Sequence, residues 1–474
     1  MLYEAAEKIP EGRCGLKFGQ RRFQATVMKS DMTEGSIEGH LARFAVPLIL
    51  GNLFQLTYNA ADSIIVGRFV GNEAQAAVGI ANPLMNVLTF FIVGVCNGIG
   101  VIISEYFGGK DDRRLRLEMG TSTLFGGMIF GALSFLLWAG AVLVLRLIRT
   151  PEEILGLTGS YLRIIAPGLV FIYLYNLYAT ALRSMGDAKT PLYFLIFSSV
   201  LNIVLDLLLV VWCQFGIYGA AAGTLISQIS ASVLCVFYAR RKAEVLRLSR
   251  NEIRIEKEIL GRTIRYSWAT GMQKITLNVG KLLIQSFVNP LGVDVIAAFN
   301  AVNRIEDFVL QPEQSIGAAI TTFSAQNRGA GKGERVYRSF RSGMRMEILY
   351  GIAIGIIIYA GAEPAMRLFA PEPDNIMIPL GVSYLHIMSL IYVLPGVTNG
   401  LQGYVRGWGA MNLCLVSTFL QIGSRVVFAA LLIPRFGMPG IAYCCLMGWI
   451  VMLAYEWPYF VTHKKSQFTM KESA

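Results

Sequence analysis

The sequence predicts an all-α membrane protein, with about twelve transmembrane helices in two pseudo-symmetric six-helix lobes. Three observations predict it. Of the 474 residues, 54% are hydrophobic and only 15% charged, whereas a water-soluble domain carries about 25% charged residues. The apolar residues fall in blocks of roughly 20, the length that crosses about 30 Å of hydrocarbon. The second half of the chain also repeats the pattern of the first.

The spans follow in order from the apolar runs. Those of the first half lie near 44–68, 80–105, 121–146, 158–182, 190–213 and 217–239, and those of the second near 264–289, 296–323, 345–362, 379–404, 412–433 and 438–461. Each is read as helix, because in lipid only a helix or a closed barrel satisfies its own backbone hydrogen bonds. The boundaries divide the chain into a tail (1–31), an N-lobe (32–239), an inter-lobe loop (240–263), a C-lobe (264–463) and a second tail (464–474). Residues 1–30 lack the apolar core of a signal peptide, and Met32 would be a natural start just before the first span.

The formal charge of +11 belongs to loops. "YFGGKDDRRLR", "ARRKAEVLRLSRNEIRIEKEILGRTIR" and "NRGAGKGERVYRSFR" crowd Lys and Arg on one side, which is positive-inside patterning and not a nucleic-acid footprint. That side is expected to be cytoplasmic, with both termini on it. The seven cysteines contain no CxxC pair, and six sit in apolar segments, where Cys acts as a small hydrophobe. No disulfide framework, metal site or cofactor is expected.

The halves align in register. "AQAAVGIANPL" lies over "VIAAFNAVNRI", placing Asn82 on Asn303, and "SEYFGGKDD" lies over "AQNRGAGKG". "SYLRIIAP" and "FGIYGAAA" fall on "SYLHIMSL" and "FGMPGIAY". Six spans per half is an even number, so both halves enter the membrane from the same side and are related by an axis along the membrane normal. Two such lobes leave a cleft near the midplane, an architecture suited to alternating access.

Polar residues inside the spans are the functional candidates, because an acid at bilayer depth costs several kcal/mol unless neutral, paired or wetted. Gln55, Asn59 and Asp62 form with Asn52 one stripe on the first span, either facing a wet interior or locking helices together. Asp206 lies in the fifth span with Asn202 one turn earlier. Apolar walls and a second carboxylate would both favour the binding of a positive ion there. Tyr173, Asn176 and Thr180 share a face of span 4, either lining a cavity or bonding to neighbouring helices. Lys281 is expected to pair with Glu313, near Glu306 on span 8, since an unpaired charge at depth is expensive. An alternative gives Lys281 to an anionic or zwitterionic substrate.

Several motifs together make the chain resemble the multidrug and toxic compound extrusion (MATE) family. They are "FAVPLILGNLFQLTYNAADSIIVGRFVG", "TALRSMGDAKTP", "LNIVLDLLLV", "NRIEDFVLQP" and "FSAQNRGAGK". The resemblance runs through nearly everything after Met32. It implies an efflux antiporter that exchanges protons or sodium for lipophilic, often cationic compounds. It also implies that Asp62 is the first-span acid, that Asn202 and Asp206 are the amide and acid of an N-lobe proton site, and that Thr224 is the hydroxyl beside them. Pro47 matches a first-span proline, which removes a backbone bond and marks a possible bend. The chain departs from sodium-coupled members that carry acids in spans 7 and 10, since span 7 holds Lys274 and Lys281 and span 10 holds His386. Protons are therefore favoured over sodium.

The loops "FGGKDD" and "RGAGKG" lack the GxxxxGK[ST] spacing of a phosphate loop, so the energy is expected to come from an ion gradient. One charge moving through 100 mV yields about 2.3 kcal/mol. The expected partners are the bilayer, a small molecule and protons or sodium, with a single chain as the working unit in the inner (cytoplasmic) membrane. The rival readings are a lipid-intermediate or anionic-metabolite transporter and an intramembrane enzyme. No Ser/His/Asp set or HExxH supports the latter.

Overall fold

Apolar runs separated by short polar turns become fourteen α-helices in the computed structural model, which describes residues 31–69, 71–370 and 375–466, with side chains at all but 58–68, 72 and 463–466. The tails at 1–31 and 464–474 fall almost wholly outside the described residues. The first half contains α1 (Ile37–Phe69), α2 (Asn72–Gly108), α3 (Asp112–Leu147), α4 (Glu152–Ile165), α5 (Gly168–Ser184), α6 (Lys189–Asp206) and α7 (Gly216–Lys242). The second contains α8 (Lys257–Val288), α9 (Val293–Gly329), α10 (Gly333–Arg367), α11 (Met377–Ile391), α12 (Val393–Gly407), α13 (Met411–Phe436) and α14 (Met438–Ser466). No strand occurs among the described residues.

Spans 4 and 10, each expected as one rod, are both broken. The α4–α5 pair bends by 40° and the α11–α12 pair by 47°. Pro167, at the first break, cannot donate its own backbone bond. The second break carries Pro395 just beyond it, inside the first turn of α12. Counting each pair as one span gives twelve rods, six per half.

Each half buries its own apolar core. One centres on Ile92, Met119, Leu162, Leu169 and Leu177, the other on Val302, Met366, Leu385, Ile433 and Ile441. A smaller cluster, including Leu41, Phe44, Ile320 and Phe340, joins α1 to the second half. The inter-lobe segment folds back on α3. The Thr121 hydroxyl donates to the Arg254 carbonyl at 3.0 Å and accepts from the Glu256 amide at 3.2 Å, and Arg116 pairs with Glu252 at 2.7 Å.

The two lobes touch at one end. There α2 crosses α9 so closely that a Cβ on Gly108 would lie 1.9 Å from the Gln326 carbonyl oxygen. A Cβ on Gly329 would lie 1.9 Å from that of Glu105. These are the repeat-matched glycines of "SEYFGGKDD" and "AQNRGAGKG", so the loops that invited a phosphate reading serve instead to let two backbones meet. Gly108→Ala is expected to force the lobes apart at this crossing and to lower the thermal midpoint, by several degrees if the cost is about 2–3 kcal/mol. Melting curves of the purified variant check this, and an unchanged midpoint would show that the crossing can relax.

Candidate functional site

The seam between the lobes sets where a site can be reached. From its crowded end upward, Thr263 on α8 donates to Glu118 on α3 at 3.0 Å. Ser267 and Thr270 on α8 bond to the carbonyls of Val95 and Gly94 on α2 at 3.2 and 2.7 Å. Glu105 on α2 receives both Arg262 from α8 and Arg328 from α9. Midway along α1, Asn52 donates to Ser315 on α9 at 3.2 Å. Beyond that level no hydrogen bond joins the lobes among the described residues. The cleft therefore opens toward the end where α1 stops and α9 begins.

Within the N-lobe, three of the residues singled out in the sequence come together. Asp206 is fully buried at the last position of α6, and Leu207–Trp212 continue the rod as a π-helix, a rare local geometry that recurs at functional sites. Asn202, one turn before it, donates to the Thr224 hydroxyl on α7 at 3.5 Å. Gly223 brings the α7 backbone up to the acid, since a Cβ there would lie 2.6 Å from Asp206 Oδ1. An acid, an amide and a hydroxyl thus stand close together between α6 and α7, a set of oxygens suited to a small positive ion. Asp62 and Asn59 lie on α1, but their side chains are outside those described. Pro47 is buried within α1, and Gln55 is exposed.

The polar face of span 4 divides. Tyr173 is fully buried and donates to the Ser122 carbonyl on α3 at 2.6 Å, which makes it an interhelical bolt and not a cavity wall. Asn176 returns its amide to its own helix at Ile172, 2.8 Å away. The Thr180 hydroxyl accepts from Arg183 at 2.9 Å, a basic residue the sequence reading passed over.

In the C-lobe the expected Lys281–Glu313 ion pair does not form. Lys281 reaches Asp307 at 3.0 Å, with the lysine side chain 66% exposed. Glu313 lies on another face of α9, fully buried. Asp307 falls just within reach of Lys281, while Glu313 is nearly two turns further along, about 9 Å at 1.5 Å per residue. Glu306 is buried and accepts from the Tyr384 hydroxyl on α11 at 3.0 Å. The sequence reading also missed a network in which Gln402 donates to Glu456 at 3.0 Å while Gln273 donates to Gln402 at 3.0 Å. Among the described residues no group of three or more His, Cys, Asp or Glu side chains could hold a metal ion.

A duplicated helical bundle whose two lobes join at one end, with an acid buried inside the N-lobe, defines a multi-pass membrane transporter. The comparisons with known proteins agree with that class. The MatE family profile matches residues 47–208 and again 269–431, one match per half. The chain belongs to the MatE family, whose members are transporters and not enzymes. It is 32% identical over 416 residues to the probable multidrug resistance protein YpnP of Bacillus subtilis (strain 168), covering 87% of this chain and 92% of that one. It is 29% identical over 454 residues to the probable multidrug resistance protein YoeA of the same strain, covering 93% and 98%. Among solved structures, the outward-facing conformation of a multidrug resistance MATE family transporter superposes with a TM-score of 0.85, at 20% identity over 92% of this chain and 98% of that one.

Proposed function

We propose that this protein is a proton-coupled antiporter that exports lipophilic, often cationic compounds by alternating access. Asp206, with Asn202 and Thr224, would bind the coupling proton, and Asp62 on α1 would be its partner acid. The observation that carries the reading is the clustering of these three side chains between α6 and α7, with Asp206 and Asn202 buried. Relatives carrying multidrug resistance names support the substrate class.

The orientation follows from charge. The closed end of the cleft carries the Lys- and Arg-rich loops, so it would be cytoplasmic, with both termini there. The open end would face outward, the state in which a proton enters and a drug leaves. Both lobes and the whole cleft belong to one chain, which supports a monomer as the working unit in the bacterial cytoplasmic membrane.

Liposomes containing the purified protein test the proposal. Ethidium efflux should follow an imposed pH gradient and not an imposed sodium gradient. Dependence on sodium alone would move the coupling ion, and independence of both would end the antiport reading. Lys281, being paired with Asp307 and exposed, would not serve as an anion site. Lys281→Gln should leave cationic dye export unchanged and cost under about 1 kcal/mol in stability. Lost transport of anionic dyes alone in that variant would restore the substrate role.

A further inference from the structure

We infer that the C-lobe holds a second proton-binding site of its own, formed by Glu313 on α9 and Glu347 on α10. The inference rests on the antiport reading above and extends it to the lobe that reading leaves idle.

Both side chains are 0% exposed, and all four of their carboxyl oxygens are buried without a hydrogen-bond partner among the described residues. They lie near the middle of two helices packed side by side, and the charge of Glu313 reaches Glu347. Neighbouring helices bring no cation to them. Arg425 on α13 acts on Glu306, and Lys281 is taken by Asp307. The other titratable groups around the pair are Tyr350 on α10, which donates to the Val309 carbonyl at 2.9 Å, and Tyr392 at the break between α11 and α12. Tyr392 is fully buried, its hydroxyl has no partner among the described residues, and it lies within electrostatic reach of Glu306, Glu313 and Tyr350. Three buried polar groups on neighbouring helices thus lack hydrogen-bond partners among the described residues. Two carboxylates buried there without a counter-charge are untenable, and a proton shared across the pair resolves this with no metal needed.

The internal repeat shows that packing does not require the acid. The alignment places Gly126 over Glu347 and Tyr173 over Gly396. In the N-lobe the large residue is on the later helix, and the Tyr173 ring fills the slot at Gly126, where a Cβ would lie 2.0 Å from the Tyr173 hydroxyl oxygen. In the C-lobe the sizes are exchanged. Glu347 occupies the slot against bare backbone on α12, and a Cβ on Gly396 or Gly400 would lie 3.4 or 3.5 Å from its Cβ or Cγ. Leu or Met would fill that slot without leaving polar atoms orphaned. Pro312, immediately before Glu313, lies inside α9 and frees the Phe308 carbonyl from its helical bond, so the acid sits where its helix bends most readily. Protonation at this point can therefore be coupled to movement of α9, the helix that crosses α2 at the closed end.

The test counts protons released when ethidium is added to the purified full-length protein in weakly buffered detergent. E313Q/E347Q should release about half as many protons per dye bound as the native chain, one of two sites having been removed. D206N should release the complementary share, and the triple variant none. A double variant that releases as many protons as the native protein overturns the inference while leaving the N-lobe reading intact. Should that double variant fail to fold, E313Q/E347M, which fills the Glu347 slot with an apolar side chain, is measured in its place, and an unchanged count overturns it equally. No release from the native chain, together with no gradient-driven efflux, would sink the antiport reading itself and this site with it.

Discussion

Asp206→Asn is expected to abolish the coupling of drug export to the proton gradient while leaving a folded protein. A pH difference of one unit stores about 1.36 kcal/mol per proton. The proton carried by the N-lobe site, exchanged for a monovalent dye cation, should therefore contribute about a tenfold factor to the dye gradient per unit. The variant should lose that factor. Asparagine keeps the shape of the aspartate and its reach toward α7, but it binds no proton in the physiological range. Gly223→Ala gives a second route to the same outcome. The added carbon would lie 2.6 Å from the carboxyl oxygen, displacing the acid from its place against α7 without removing its ability to bind a proton. Efflux from liposomes under an imposed pH gradient measures both variants. A tenfold gradient maintained by Asp206→Asn would remove this acid from the mechanism.

How much of this was legible beforehand depends on what a helical face can reveal. Among the described residues nine spans at most, each bent pair counted once, follow from length and hydropathy alone, and the internal repeat matched the two glycine loops without foretelling that their helices cross there. Asn202 and Asp206 share a face whatever the packing, because one turn of helix places them there. Thr224 came only through family resemblance, and the structure brings it to within 3.5 Å of Asn202. The failures share one cause. A sequence shows which residues share a face but not how that face is turned toward its neighbours. Lys281 could therefore be assigned to the wrong acid on α9, and Tyr173, an interhelical bolt, could pass for a cavity wall. Glu347 stands in "RMEILYG" close to a charged loop, where an acid reads as interfacial until the helix is seen to begin fourteen residues earlier, at Gly333. The contacts of Glu105 with Arg262 and Arg328 were hidden because charges at span ends look solvated when each loop is read alone.

Those contacts carry the last prediction. Glu105 is the only acid among the described residues seen bonded to both Arg262 and Arg328, and so ties α2 of the N-lobe to α8 and α9 of the C-lobe. Arg262 is further held over the rings of Tyr106 and Tyr266. Alternating access requires this end to part, and the charge-assisted bonds must break when it does. Each is worth about 1.5–3 kcal/mol net, and removal of the acid also leaves two guanidinium groups facing each other. If Glu105→Gln costs the closed state about 2 kcal/mol, the balance shifts toward the parted state roughly 30-fold. A cysteine at the seam reports the shift. Ser267, buried against α2 and bonded to Val95, is replaced by Cys in a background where the exposed Cys213 and the tail residue Cys14 are Ser. Membrane-impermeant thiol reagent applied from the side of the basic loops should label that position faster in Glu105→Gln, approaching the 30-fold limit when opening precedes labelling. The neighbouring Thr270, whose bond to Gly94 does not involve Glu105, offers an independent reporter position for the same measurement. Equal rates with and without the acid would mean that the backbone contact at Gly108 and Gly329 and the remaining hydrogen bonds of the seam keep this end shut, with the ion pairs adding nothing to the balance.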